Sequence, residues 1–258
     1  MLQNICLLIE YDGTPYSGWQ MQKTLPSVQG ELTAALRRLT GEPQLNLSCA
    51  GRTDAGVHAY GQVANFHTCY RLEARRYATA LNRFLPPTIR IHRSEALPAA
   101  FDARFSAAAK RYRYRLYEGL NPLALDRHRA WHVRRSLNVE RLQAAAQTLV
   151  GEHDFNAFRS SHCDADHAVR RIFSVEVAQM LRPPIGRFVD ITFHANAFCR
   201  HMCRILAGTL MEVGAGMRSV GSVEEALRVR QRQAAGVTAP PWGLTLLEVL
   251  YAPEATQS

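Results

Sequence analysis

Lysine is nearly missing from this chain: of 31 lysine and arginine residues among 258, only Lys23 and Lys110 are lysines. The basic charge is therefore carried by arginine, whose planar fork suits phosphate, guanine edges and base stacking. A codon-usage bias gives the same imbalance. There is no uninterrupted apolar run long enough for a membrane span. Residues 1–9 lack both a basic leader and a small-residue cleavage site. The expectation is a cytoplasmic protein with no membrane partner. Cys6, Cys49, Cys69, Cys163, Cys199 and Cys203 are scattered, without a tight framework, which predicts reduced thiols. Residues 208–216 are glycine-rich but lack the Gly-Lys-Ser/Thr of a phosphate loop. No Gly-x-Ser-x-Gly elbow is present. The clusters 199–203 and 162–167 hold ligand-type residues but match neither a paired CxxC nor a His-Glu-x-x-His pattern, so no metal is expected.

What is present is a globular composition, 47% hydrophobic and 21% charged, with a formal charge of +9. That charge makes nucleic acid or another polyanion the first partner to consider. The length fits one large domain or two of about 100 to 150 residues.

In order, residues 5–10 read as a buried strand and 11–20 as a polar-aromatic loop. Ser27 caps a helix whose Val28, Leu32, Ala35, Leu36 and Leu39 share a face, and Gly41 and Pro43 stop it. Residues 45–49 form a second strand, 72–82 a helix and 88–94 a strand. A domain junction is placed near 97–106. Residues 111–117 alternate strictly, with Tyr112, Tyr114 and Leu116 on one face and Arg111, Arg113 and Arg115 on the other. A solvated strand explains this, and so does a sheet that binds RNA. Asn138 caps a helix reaching 150, and strands at 172–177 and 187–193 form a hairpin. A helix over 198–213 carries a core stripe of Phe198, Met202, Ile205 and Thr209, with Arg200 and Arg204 on a common face. Residues 244–251 make the last strand. Both halves offer strands and helices in a similar order, which hints at an internal duplication.

The chemistry concentrates at Gly51-Arg52-Thr53-Asp54-Ala55-Gly56-Val57-His58-Ala59, a turn at a strand end bracketed by glycines. An ordinary polar turn explains the spacing alone. An ionised aspartate held there can act as a nucleophile, as a base or as a stabiliser of a cationic sugar.

This stretch resembles the active-site signature of the tRNA pseudouridine synthase A family. Further matching motifs recur in order: Glu10-Tyr11-Asp12-Gly13 with Gly18-Trp19-Gln20, residues 101–106, Lys110-Arg111-Tyr112-Arg113-Tyr114, Asp154-Phe155 with Phe158-Arg159, Asn196-Ala197-Phe198 with His201-Met202 and Arg204, and Met211-Glu212-Val213-Gly214. The resemblance implies a cofactor-independent isomerase that converts uridine to pseudouridine in the tRNA anticodon stem-loop, at positions thirty-eight to forty. It further implies a homodimer whose subunits together grip one tRNA.

Carried over by position, Asp54 is the nucleophile and Arg52 holds the flipped nucleotide out of its stack. Tyr112 stacks on the target base, Arg204 pairs with Asp54 and Leu244 packs beneath the uracil. Arg111 and Arg113 supply the basic face toward the RNA. Cys199, Cys203 and Pro240-Pro241-Trp242 depart from the family's usual residues and put the shape of the cleft in question.

The expected fold is α/β (α+β), with two similar subdomains of mixed and antiparallel sheets flanked by helices and a basic central cleft. The first subdomain covers 1–104 and the second 105–258. No metal, cofactor or DNA enters this reading. The rival from another class is a noncatalytic RNA-binding module or RNA chaperone, with a metal-dependent hydrolase more distant.

Overall fold

The computed structural model describes residues 2–161, 163 and 165–256. In chain order the first elements are β1 (Gln3–Tyr11), α1 (Val28–Thr40), β2 (Ser48–Cys49), β3 (His58–Thr68), α2 (Tyr77–Leu81) and β4 (Ile89–Leu97). There follow β5 (Ala107–Glu118), β6 (Trp131–Val133), α3 (Val139–Gln147), β7 (Gly151–Asp154), β8 (Val169–Arg182) and β9 (Gly186–Ala195). The last are α4 (Met202–Gly214), α5 (Ser222–Val229), β10 (Leu244–Tyr251) and α6 (Pro253–Thr256). This is a mixed α/β protein, as its alternating patterns predict.

The chain divides into two compact units, residues 1–110 with 246–258, and residues 111–245. In the first unit the strand order is β4-β1-β3-β10, with β2 added to β3. β1 is antiparallel to both neighbours, Leu7 pairing with Ala64 of β3 and Ser94 of β4. Flanked on both sides, β1 buries Ile5, Leu7 and Ile9 completely. Helix α1 follows the sequence closely: the Ser27 side chain accepts the Gly30 N–H, and Gly41 at φ 73 ends the helix in the left-handed region.

In the second unit the order is β5-β9-β8-β7, with β6 parallel to β5. The predicted hairpin is there but longer, Arg182 pairing with Gly186 at its tip. The Asn138 side chain caps α3 by accepting the Arg141 N–H at 2.9 Å. From β1 the first unit runs strand, helix, strand, strand, whereas from β5 the second runs strand, strand, helix, strand.

Two boundaries differ from the sequence reading. The first unit runs to 110 and not to 104, and buried asparagines fasten its 98–103 segment in place. Asn4 Nδ2 donates to the carbonyls of Pro98 and Phe101 at 2.9 Å, and the Ala103 N–H donates to Asn65 Oδ1 at 2.9 Å. Residues 246–258 also join the first unit rather than the second. The Tyr251 hydroxyl donates to the Ala103 carbonyl at 2.8 Å, and its ring lies 5.1 Å from that of Phe101.

A third difference concerns α4, which begins at Met202 and not at 198, because His201 sits at φ 62 and breaks the helical path. Arg200 is therefore outside the helix and shares no helical face with Arg204. Of the expected stripe, Met202, Ile205 and Thr209 are core, each at most 1% exposed, while Phe198 precedes the helix and is half-buried.

Candidate active site

Asp54 and Arg52 lie in the first unit, on the connection between β2 and β3. The Val57 N–H closes a turn on the Asp54 carbonyl at 3.1 Å, with Gly56 at φ 77 supplying the left-handed residue. Arg52 is exposed and Asp54 half-buried. The residues between and beside them are fastened from below. The Thr53 carbonyl accepts the Trp19 N–H at 3.0 Å, and its hydroxyl lies 2.8 Å from the Tyr11 hydroxyl. The Gly51 carbonyl accepts from Gln62 Nε2 at 2.8 Å.

The loop after β1 lies directly on this turn, which explains its glycines. A Cβ on Gly13 would come within 2.0 Å of the Val57 carbonyl oxygen. Gly18, at φ 96, would place one 2.6 Å from the Thr53 oxygen. The Gly13 N–H donates to His58 Nδ1 at 3.1 Å, an atom that also lies 3.2 Å from Asp12 Oδ1. The sequence offered these residues as motif letters only; Tyr11 and Gln62 gave no sign that they hold the turn.

Arg111, Tyr112, Arg113, Arg204 and Leu244 lie in the second unit. Tyr112 is buried, with its ring edge-on to Phe198 at 5.2 Å. Tyr114 is fully buried and donates its hydroxyl to the Pro240 carbonyl at 2.8 Å. Burial pushes that hydroxyl's pKa up, opposed by the Arg204 charge. Arg204 Nε donates to the Ala239 carbonyl at 2.8 Å, and the Ala239 N–H returns to the Arg204 carbonyl at 3.1 Å. A Cβ on Gly243 would meet the Tyr114 ring at 2.7 Å, and Leu244 follows at 5% exposure. Arg204, the segment 239–244 and Tyr114 thus form one cluster.

The arginine face of β5 is not simply solvated. Arg115 makes a paired contact with Asp190, at 2.7 and 2.6 Å, and Arg113 Nε lies 3.9 Å from the same carboxylate.

Among the described residues no group of three or more histidine, cysteine, aspartate or glutamate side chains is disposed to hold a metal. His162 and Asp164 of the candidate cluster lie outside the described residues. In the same segment Cys163 accepts the Arg200 N–H at 3.4 Å. Burial raises its thiol, but hydrogen bonds from Ala165, Arg200 and Cys199 and the Arg159 charge outweigh it and leave the pKa below the ordinary value.

The profile of the tRNA pseudouridine synthase family matches residues 7–106 and 145–252, a span that takes in the Asp54 turn, Arg204 and Leu244. The chain belongs to the tRNA pseudouridine synthase family. Membership makes it an enzyme of the uridine-isomerising class. It is 46% identical over 250 residues to tRNA pseudouridine synthase A of Geotalea uraniireducens (strain Rf4), covering 97% of this chain and 100% of that one. It is 44% identical to the protein of that name from Acetivibrio thermocellus, again over 97% of this chain and 100% of that one. A chain of the crystal structure of a Cbf5-Nop10-Gar1 complex aligns with 94% of this synthase and 48% of its own length, at 14% identity and a TM-score of 0.35. No described helix of the synthase is long and apolar enough to cross a membrane.

Proposed function

We propose that this enzyme converts uridine to pseudouridine at positions thirty-eight to forty of the tRNA anticodon stem-loop, with Asp54 as its nucleophile. The observation that carries the reading is the signature turn: Asp54 is held half-buried and Arg52 exposed on a backbone fastened at Gly51 and Thr53. Asp54 attacks the sugar carbon or the pyrimidine ring, the bond from N1 to the sugar breaks, and the freed uracil turns and rejoins through carbon five. Carbon five gives up its proton and N1 gains one, so no redox partner or cofactor is required. Arg52 enters the stack that the flipped nucleotide leaves. Tyr112 stacks on the target base, Arg204 pairs with Asp54, Leu244 packs under the uracil, and Arg111 and Arg113 face the phosphates. The enzyme acts as a homodimer that grips one tRNA.

The test is tritium release from carbon five of uridine in unmodified tRNA, by the wild type and by Asp54→Ala side by side. Release by the wild type alone, with tRNA binding kept by both, is the expected result, because binding rests on many arginine contacts to phosphate. Tight binding with no release by either protein would replace this reading with a noncatalytic RNA-binding one.

A further inference from the structure

Three polar side chains sit beneath the signature turn, inside the first unit, and none of them reaches solvent to a useful extent. Gln62 is 0% exposed, Tyr11 2% and Thr53 8%. They form one chain. Gln62 Nε2 donates to the Gly51 carbonyl at 2.8 Å and approaches the Tyr11 hydroxyl oxygen at 3.4 Å, and that hydroxyl lies 2.8 Å from Thr53 Oγ1.

Donor accounting fixes the direction. An amide nitrogen can only donate, so the Tyr11 oxygen accepts from Gln62 and its own proton goes to Thr53. The reverse order would leave a buried phenol proton unsatisfied. Gln62 Oε1 is used in turn by the Val63 N–H at 3.2 Å. The Tyr11 ring is itself set by Trp19, 6.1 Å away, whose N–H holds the Thr53 carbonyl at 3.0 Å. Gly51 and Thr53, the residues on either side of Arg52, are thereby fixed to the sheet through one hydrogen-bonded chain.

An apolar set of the same shape would fill the space but leave the Gly51 carbonyl without this donor. Two buried polar side chains aimed at the turn, Gln62 at the Gly51 carbonyl and Tyr11 at the Thr53 hydroxyl, point to a demand for position. We propose that Gln62, Tyr11 and Thr53 are positioning residues, which set the rate by fixing the turn that presents Arg52 and Asp54 and touch no substrate themselves. This rests on the reading of Asp54 as the nucleophile.

The test measures kcat and KM for tritium release, with tRNA binding and a thermal melt for each variant. The set is Tyr11→Phe, Thr53→Val, Thr53→Ser and, as reference, Asp54→Asn. Tyr11→Phe keeps the ring against Trp19 and Thr53→Val is nearly isosteric, so loss of the hydroxyl is separated from loss of packing. A misplacement of about 1 Å costs on the order of a hundredfold in rate. Tyr11→Phe and Thr53→Val are expected to lose kcat on that scale, with KM and binding held within about twofold. Thr53→Ser restores the hydroxyl and is expected to restore most of the rate.

Folded variants with wild-type kcat, losses carried by KM, or equal losses in Thr53→Val and Thr53→Ser would overturn the proposal. Should Tyr11→Phe not fold, the Thr53 pair decides it alone. Release surviving in Asp54→Asn would instead remove the nucleophile assignment, a result distinct from an inactive Asp54→Asn beside a fully active Tyr11→Phe.

Discussion

At the signature turn Arg52 is exposed while its neighbours Gly51 and Thr53 are fastened to Gln62 and Tyr11; on β5 Arg115 is itself fastened, to Asp190, while Tyr114 beside it is sealed in the core. Both stretches carry arginine next to aromatic or small residues, and only in the turn is a guanidinium displayed. The reason lies in what stands opposite. Beneath the turn are uncharged donors and acceptors that bind backbone and leave the charged side chain alone. Beside β5 runs β9, whose Asp190 carboxylate takes up the arginine fork in a bidentate contact.

The largest effect is expected at the glycines. Gly18→Ala combines φ 96 with a Cβ 2.6 Å from a backbone oxygen that cannot yield, and is expected to cost about 3 kcal/mol or more in chemical denaturation. Gly243→Ala meets the buried Tyr114 ring at 2.7 Å, a side chain rather than backbone and at an unstrained φ, and is expected to cost less, about 1 to 3 kcal/mol. Equal costs would mean that the turn is no more rigidly backed than the β5 cluster.

A smaller effect is expected at Asp190. Both partners of the Arg115 pair are about 20% exposed, so solvent screens part of the interaction. Asp190→Asn should lower stability by about 1 to 2 kcal/mol. With the carboxylate gone, tRNA binding should become more salt-dependent, by about one in the slope of log K against log salt. An unchanged slope would show that the β5 arginines stay away from phosphate.

The smallest effect at ordinary pH separates the regions by titration. Burial pushes the Cys49 thiol, next to the turn, from 9.0 up to about 12. The folded chain thus holds this proton more tightly than the unfolded one. The resulting stability is whole below pH 9 and is lost as the pH climbs toward about 12. Cys49→Ala should flatten that alkaline fall in a pH series of denaturation midpoints, while Cys69→Ala, at an exposed position, should leave it in place.

Much of this could be read from the residues alone, wherever the signal was local. Ser27, Gly41 and the spacing of Val28, Leu32 and Leu36 describe α1 because caps and faces act within a few residues. The β8 and β9 hairpin was legible for the same reason. Two short strands, β6 and β7, escaped because three or four residues carry no period. The early start assigned to α4 failed at His201, whose left-handed backbone the apolar stripe does not reveal.

At the candidate site, Asp54 and Arg52 stood out through family likeness, and the turn around them through its glycines. Gln62 and Asp190 could not be found that way, since each acts on a partner far along the chain.

The unit that carries Asp54 is made from residues 1–110 and 246–258, so the ribosome delivers its first part long before β10, the strand that joins β3. Until Tyr251 emerges, Ala103 and Phe101 wait for their partners. Translation therefore cannot release a finished signature-bearing unit early: its sheet closes last, after the whole of 111–245 has been made.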